Sequence, residues 1–183
     1  LRIIQSYFNQ TKEEIADNLE NYKEEYLTNV KPYLTVFDSV GTHIDEINEY
    51  ARIYRPDVMF IDQLDKVHIS GTYNRTDEKL KEVYVRAREI SKRHECLLWA
   101  VSQASYEAEG KSIIDYSMLD NSRTGKAGEA DLIIGIGRGA DNNDLSDPNR
   151  CITISKNKLN GWHGSRHATI SIRRGVFESD NNA

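Results

Sequence analysis

The sequence predicts an α/β fold: a mainly parallel sheet flanked by helices, with antiparallel strands added at its C-terminal edge. Three observations lead there. The apolar runs Val58-Met59-Phe60-Ile61 and Cys96-Leu97-Leu98-Trp99-Ala100-Val101 read as strands covered on both faces, with Trp99 in the core. Between them, Leu80, Val83, Tyr84, Ala87 and Ile90 recur at helical spacing. Further on, apolar segments at 152–155, 168–172 and 176–178 follow one another at hairpin spacing.

The remaining elements follow from local signals. Thr11-Lys12-Glu13-Glu14 has the capping-box spacing, and Ile15, Leu19, Tyr22 and Tyr26 then trace one helix. Residues 34–37 form a short strand in this reading. Thr42 and Asp45 repeat the capping spacing before the stripe Ile44, Ile47, Ala51 and Tyr54, and Pro56 stops that helix. Residues 63–75 and 104–130 are polar loops, 132–136 is a third central strand, and 138–149 has turn chemistry throughout. One domain accounts for all 183 residues, with no repeat and no low-complexity tract.

Composition narrows the function. A net charge of −5 argues against a body designed as a whole for nucleic acid. The charge is uneven, however: 151–175 carries Lys156, Lys158, Arg166, Arg173 and Arg174 with no acid. Such a stripe can grip phosphate locally, since screening acts over about 8 Å at physiological salt. Cys96 and Cys151 fall in strands and read as core thiols of a reducing cytoplasm. No apolar run approaches the roughly 20 residues of a membrane span. His163 and His167 flank Arg166 without a third ligand nearby, so they read as surface residues and not as a metal site. Trp162, between Gly161 and His163, is placed to stack on a base or a neighbouring chain.

Chemistry-bearing residues gather at predicted strand ends. Asp62 closes the first apolar run and Gln103 the second. The glycine-containing segment 120–131 precedes the third strand, and Lys156-Asn157-Lys158 follows the fourth. Parallel sheets bind ligands outside the carboxyl ends of their strands. A carboxylate there can hold hydrated Mg²⁺ beside a nucleotide.

Taken together, Met59-Phe60-Ile61-Asp62, Val101-Ser102-Gln103, Glu129-Ala130-Asp131-Leu132-Ile133-Ile134 and Ser155-Lys156-Asn157-Lys158 resemble the RecA-type ATPase core of DnaB-like hexameric replicative helicases, including bacteriophage members. The order and spacing match over roughly residues 34 to 175. The resemblance implies ATP and Mg²⁺ as cofactors, single-stranded DNA as partner, and self-association into a ring. It makes Asp62 the Walker B carboxylate that holds Mg²⁺ through water, and Gln103 the sensor of the γ-phosphate. The 120–128 loop, with Ser122, Arg123, Thr124, Gly125 and Lys126, would bind the DNA backbone in the ring's channel. Lys156 and Lys158 would reach the neighbouring subunit's ATP.

The chain departs from the pattern twice. Lys158 stands where the family commonly has arginine, giving a point charge in place of a planar fork. No Walker A motif is present: Thr124-Gly125-Lys126 is followed by Ala127 where a Mg²⁺-binding hydroxyl belongs, and it precedes a strand instead of following one. The resemblance therefore implies that the phosphate loop precedes Leu1 in a longer chain, and that this piece alone hydrolyses ATP poorly. The alternatives are a RecA- or clock-type ATPase of other function, and a non-catalytic assembly or DNA-binding module without a P-loop.

Overall fold

The computed structural model describes residues 2–38, 40–120, 123–139 and 146–179. In chain order the helices are α1 (Arg2–Phe8), α2 (Lys12–Asp17), α3 (Leu19–Asn29), α4 (Ile44–Tyr54), α5 (Thr76–Arg93) and α6 (Arg123–Glu129). The strands are β1 (Val58–Ile61), β2 (Leu97–Ala100), β3 (Leu132–Arg138), β4 (Asn149–Asn157), β5 (Gly164–Ser171) and β6 (Val176–Ser179). Among the described residues β1 and β2 form a parallel pair, while β3-β4-β5-β6 form a separate antiparallel sheet.

The core sits between the parallel pair and the helices α4 and α5. Ile44, Ile47 and Ala51 of α4 meet Val83, Ala87 and Ile90 of α5, with Leu64 and Val67 from the chain after β1. These residues recur on one face of each helix, so burying a single stripe satisfies both. Met59, Ile61 and Leu98 cover this cluster from the strands. Acidic Asp77 and Glu78 begin α5 and basic Lys92 and Arg93 end it, each complementing the helix dipole. The α4 helix ends at Arg55 in a left-handed conformation, φ 46°, and Pro56 then blocks its continuation.

Several expectations require correction. The capping box at Thr11 is present, but the helix it starts breaks at Asn18, so that α2 and α3 replace one helix. His43, not Thr42, caps α4, accepting from Asp45 N at 3.3 Å while Glu46 Oε1 accepts from His43 N. Residues 34–37 form no strand; Phe37 instead stacks on Tyr50 at 4.5 Å between ring centroids. The third central strand joins β4 antiparallel, Leu132 opposite Asn157 and Arg138 opposite Arg150, and not the parallel pair. Gly135 and Gly137 are required there, because a Cβ on either would strike the backbone of Ile114 or Ser112 passing over β3. Much of 138–149 lies outside the described residues.

Among the described residues, the parallel pair is covered on one face only. Its inner side packs on the core, but Phe60 is 71% and Trp99 39% exposed on the outer side, their rings stacked at 6.2 Å. Trp99 is therefore not core. An unbroken apolar run satisfies the pattern of a buried strand whether or not a second layer lies against it. Both thiols, Cys96 and Cys151, are free and buried.

Leu64 is 1% exposed and anchors the chain beyond β1 in the core. Leu64→Ala is expected to lower unfolding free energy by about 2–5 kcal/mol in urea titration, with an unchanged denaturant slope. A loss below about 0.5 kcal/mol, the size of an ordinary surface change, would mean that the cluster is not the core.

Candidate functional site

The β1 and β2 strands pair in parallel register, Val58 with Leu97 through Ile61 with Ala100, so their carboxyl ends coincide. Asp62 and Gln103, both exposed, follow at this shared end. The pairing continues past the strands: Val101 N donates to Ile61 O at 2.9 Å and Leu64 N to Val101 O at 3.2 Å. Immediately after Asp62 the backbone reverses at Gln63, whose φ of 55° places it in the left-handed region. A 3₁₀ turn, Leu64–Lys66, then carries Asp65.

Asp65 is the acceptor of a compact polar cluster. Its Oδ1 accepts from the Tyr84 hydroxyl of α5 at 2.8 Å. Its Oδ2 accepts from Ser102 Oγ at 2.9 Å and from Lys126 Nζ at 2.8 Å. Lys126 also donates to Ser102 Oγ at 3.1 Å, and its ammonium lies 5.8 Å from the centre of the Tyr84 ring. Lys126 is only 2% exposed. A buried ammonium is tolerable only with partners of this kind, since the desolvation cost must be offset by charge and hydrogen bonds.

Residues 123–129, expected within a loop, form α6 instead, with Gly125, Lys126 and Ala127 buried. Two glycines make this a poor helix by intrinsic propensity, so tertiary packing decides the conformation. Lys126 therefore points inward to Asp65 and not outward to a DNA backbone. Ser122 lies outside the described residues, as do the side chains of Arg123 and Thr124.

The other end of α6 meets two lysines, Lys156 in β4 and Lys158 just after it. Lys156 Nζ donates to Ala127 O, and Lys158 Nζ donates to Gly128 O at 3.0 Å. Lys158 also pairs with Asp131 at 3.6 Å and retains 43% side-chain exposure. Carbonyls in the last turn of a helix have no partner within it, and cations suit the negative end of its dipole. Arg88 of α5 donates to Glu129 O and pairs with Asp131 at 3.0 Å. Desolvation first, and then the neighbouring charge of Lys158, hold the Lys156 ammonium below the usual lysine range. Lys156 borders an open cleft of about 420 Å³ shared with Tyr116, Ser117 and His163. Trp162 is half exposed in the β4–β5 turn, its ring against Gly164.

The structure thus brings Asp62 and Gln103 to one strand-end rim, and gathers Lys126, Lys156 and Lys158 around α6. An exposed strand-end carboxylate has the hard-oxygen chemistry that suits hydrated Mg²⁺, which is held through one or two carboxylates and several waters. Asp65 is not singled out in the sequence, and Ser102 and Tyr84 appear there only as a motif neighbour of Gln103 and as a packing residue of α5. Their only signal in the sequence is position: Asp65 lies three residues past Asp62, and Ser102 directly before Gln103.

Burial is the main cause that raises the Tyr84 phenol well above its ordinary value of 10.0, with Asp65 adding to it. A phenol raised in the folded state contributes stability that is complete below the unfolded value and is lost as pH climbs toward the folded one. Between about pH 9 and 11, wild-type unfolding free energy should therefore fall more steeply than that of Tyr84→Phe. Parallel curves in urea titration would contradict the burial of this hydroxyl.

No protein-family model and no curated protein matches the sequence. Solved structures do match. One, described as the ATPase domain of another protein, aligns with a TM-score of 0.81 at 17% identity, covering 97% of this chain and 68% of that one. A second, described as "The Structure Of A DnaB-Like Replicative Helicase And Its Interactions With Primase", aligns at TM-score 0.81 and 18% identity, covering 97% of this chain and 47% of its own length. At such identities the likeness speaks for the fold. The chain is built on the RecA-like fold of DnaB-like helicase ATPase domains.

Proposed function

We propose that this chain forms part of an ATP-driven DNA helicase motor that assembles as a ring on single-stranded DNA. The observation that carries the reading is the shared rim: Asp62 and Gln103 both follow the carboxyl ends of two parallel strands in register. Ligands of parallel sheets bind beyond that edge. The fold likeness supports the same reading, since by their descriptions one matched structure is an ATPase domain and the other a replicative helicase.

In this account Asp62 holds Mg²⁺ through water beside the nucleotide phosphates; when bound, the ion neutralises charge developing on the transferred group. Gln103 has an amide that donates and accepts, so it can bond to a phosphate oxygen or to a water positioned against it. Lys158, partly exposed beside the last turn of α6, is available to a nucleotide held by an adjoining copy. It would have to exchange its bonds to Gly128 O and Asp131 for that phosphate. Lys156, bonded to Ala127, supports it by holding the helix end. Contact with single-stranded DNA is assigned in this reading to Ser122, Arg123 and Thr124. The chain spans 68% and 47% of the matched structures, so activity belongs to the full-length protein carrying these residues.

The test is DNA-stimulated ATP hydrolysis by that full-length protein. Asp62→Asn is expected to lower turnover by about a hundredfold or more, through loss of a metal-bearing charge. Lys158→Ala should lower it by at least about tenfold while leaving nucleotide binding by an isolated subunit intact. Normal turnover in both variants would overturn the assignment.

A further inference from the structure

Lys126 has the side chain whose position fits its expected role least well. A residue meant for a phosphate backbone should stand in solvent, yet this ammonium is enclosed by Asp65, Ser102 and Tyr84. Each partner belongs to a different part of the fold. Asp65 lies on the turn that follows Asp62, Ser102 lies directly before Gln103, and Tyr84 lies on α5. Lys126 itself is central in α6, which spans seven residues, or about 10 Å of rise. The residues after it, Ala127 and Gly128, accept from Lys156 and Lys158.

We propose that Lys126 is a positioning residue that makes α6 move as one body with the chain ends carrying Asp62 and Gln103. The proposal rests on the helicase reading given above. A buried ion pair cannot stretch gradually, because separating its members leaves an unpaired charge in a low-dielectric interior. A shift of the β1 or β2 ends therefore carries Asp65 or Ser102, and with them Lys126 and α6. The displacement then reaches the first turn of α6, and Lys156 and Lys158, which hold its last carbonyls. In the opposite direction, DNA drawing on α6 bears on the rim where nucleotide is held. Lys126 touches neither ligand and acts through the residues on either side of it.

The test is ATP turnover of the full-length protein with and without a single-stranded oligonucleotide, in wild type, Lys126→Met and Ser102→Ala. The quantity of interest is the ratio of DNA-stimulated to unstimulated turnover, because a merely destabilised protein loses both in proportion. Lys126→Met is expected to lower this ratio by about tenfold or more, within the usual range of coupling between sites. Ser102→Ala removes only one of the ammonium's partners and is the milder change; it should lower the ratio by roughly threefold. Oligonucleotide affinity measured against salt should keep its slope in Lys126→Met, whereas a direct phosphate contact would reduce that slope by about one. An unchanged ratio in both variants, or a reduced slope, overturns the proposal while leaving the helicase reading in place. A wild-type turnover that ignores DNA overturns both.

Discussion

A lysine ammonium taken out of water and held by one carboxylate is the constraint on which the arrangement of this chain depends. Lys126 and Asp65 are 61 residues apart, and their bond closes a path that runs through α5 and β2 into α6. Removing either partner alone would strand the other, at a cost of several kcal/mol in a buried setting. The elements that supply the cluster must therefore adopt mutually consistent positions. The reversal at Gln63 has a purpose in this light: it turns the chain after β1 so that Leu64 enters the core and Asp65 reaches the ammonium.

The two sheets meet through the same helix. Through Lys126, α6 is bonded to Asp65 and Ser102 just beyond the parallel pair, and its last carbonyls accept from Lys156 and Lys158 at the end of β4. Asp131, at the exit of α6, collects Arg88 from α5 and Lys158 from just after β4, adding a second ionic link on the exposed side. Such pairs contribute little to stability in solvent. Their effect here is orientation: they hold cationic side chains at the helix end, where a change in α6 alters their partners.

The sequence is informative where local chemistry and tertiary packing agree. Helices α4 and α5 are legible because a single apolar stripe meets a single core, and Asp62 and Gln103 because apolar runs end abruptly in polar groups. It is misleading where packing overrides propensity. Segment 123–129 contains two glycines and a lysine and reads as a loop, yet it is helical because Lys126 and Ala127 are buried against neighbours far away in sequence. Periodicity reports which residues are apolar, not what lies over them, so it assigns Phe60 and Trp99 to an interior they do not occupy. Strand partners are equally silent: nothing local to 132–138 says that it joins β4 and leaves the parallel pair. The roles of Asp65 and Ser102 exist only in three dimensions.

The direct test of the central claim is a double-mutant cycle on Lys126 and Asp65, read as unfolding free energy in urea. Lys126→Met and Asp65→Asn should each cost about 3–5 kcal/mol, and the double variant much less than their sum, because the orphaned charge is then absent. Additive losses, or single losses below about 1 kcal/mol, would mean that the two groups are solvated in solution and that α6 is not held by them.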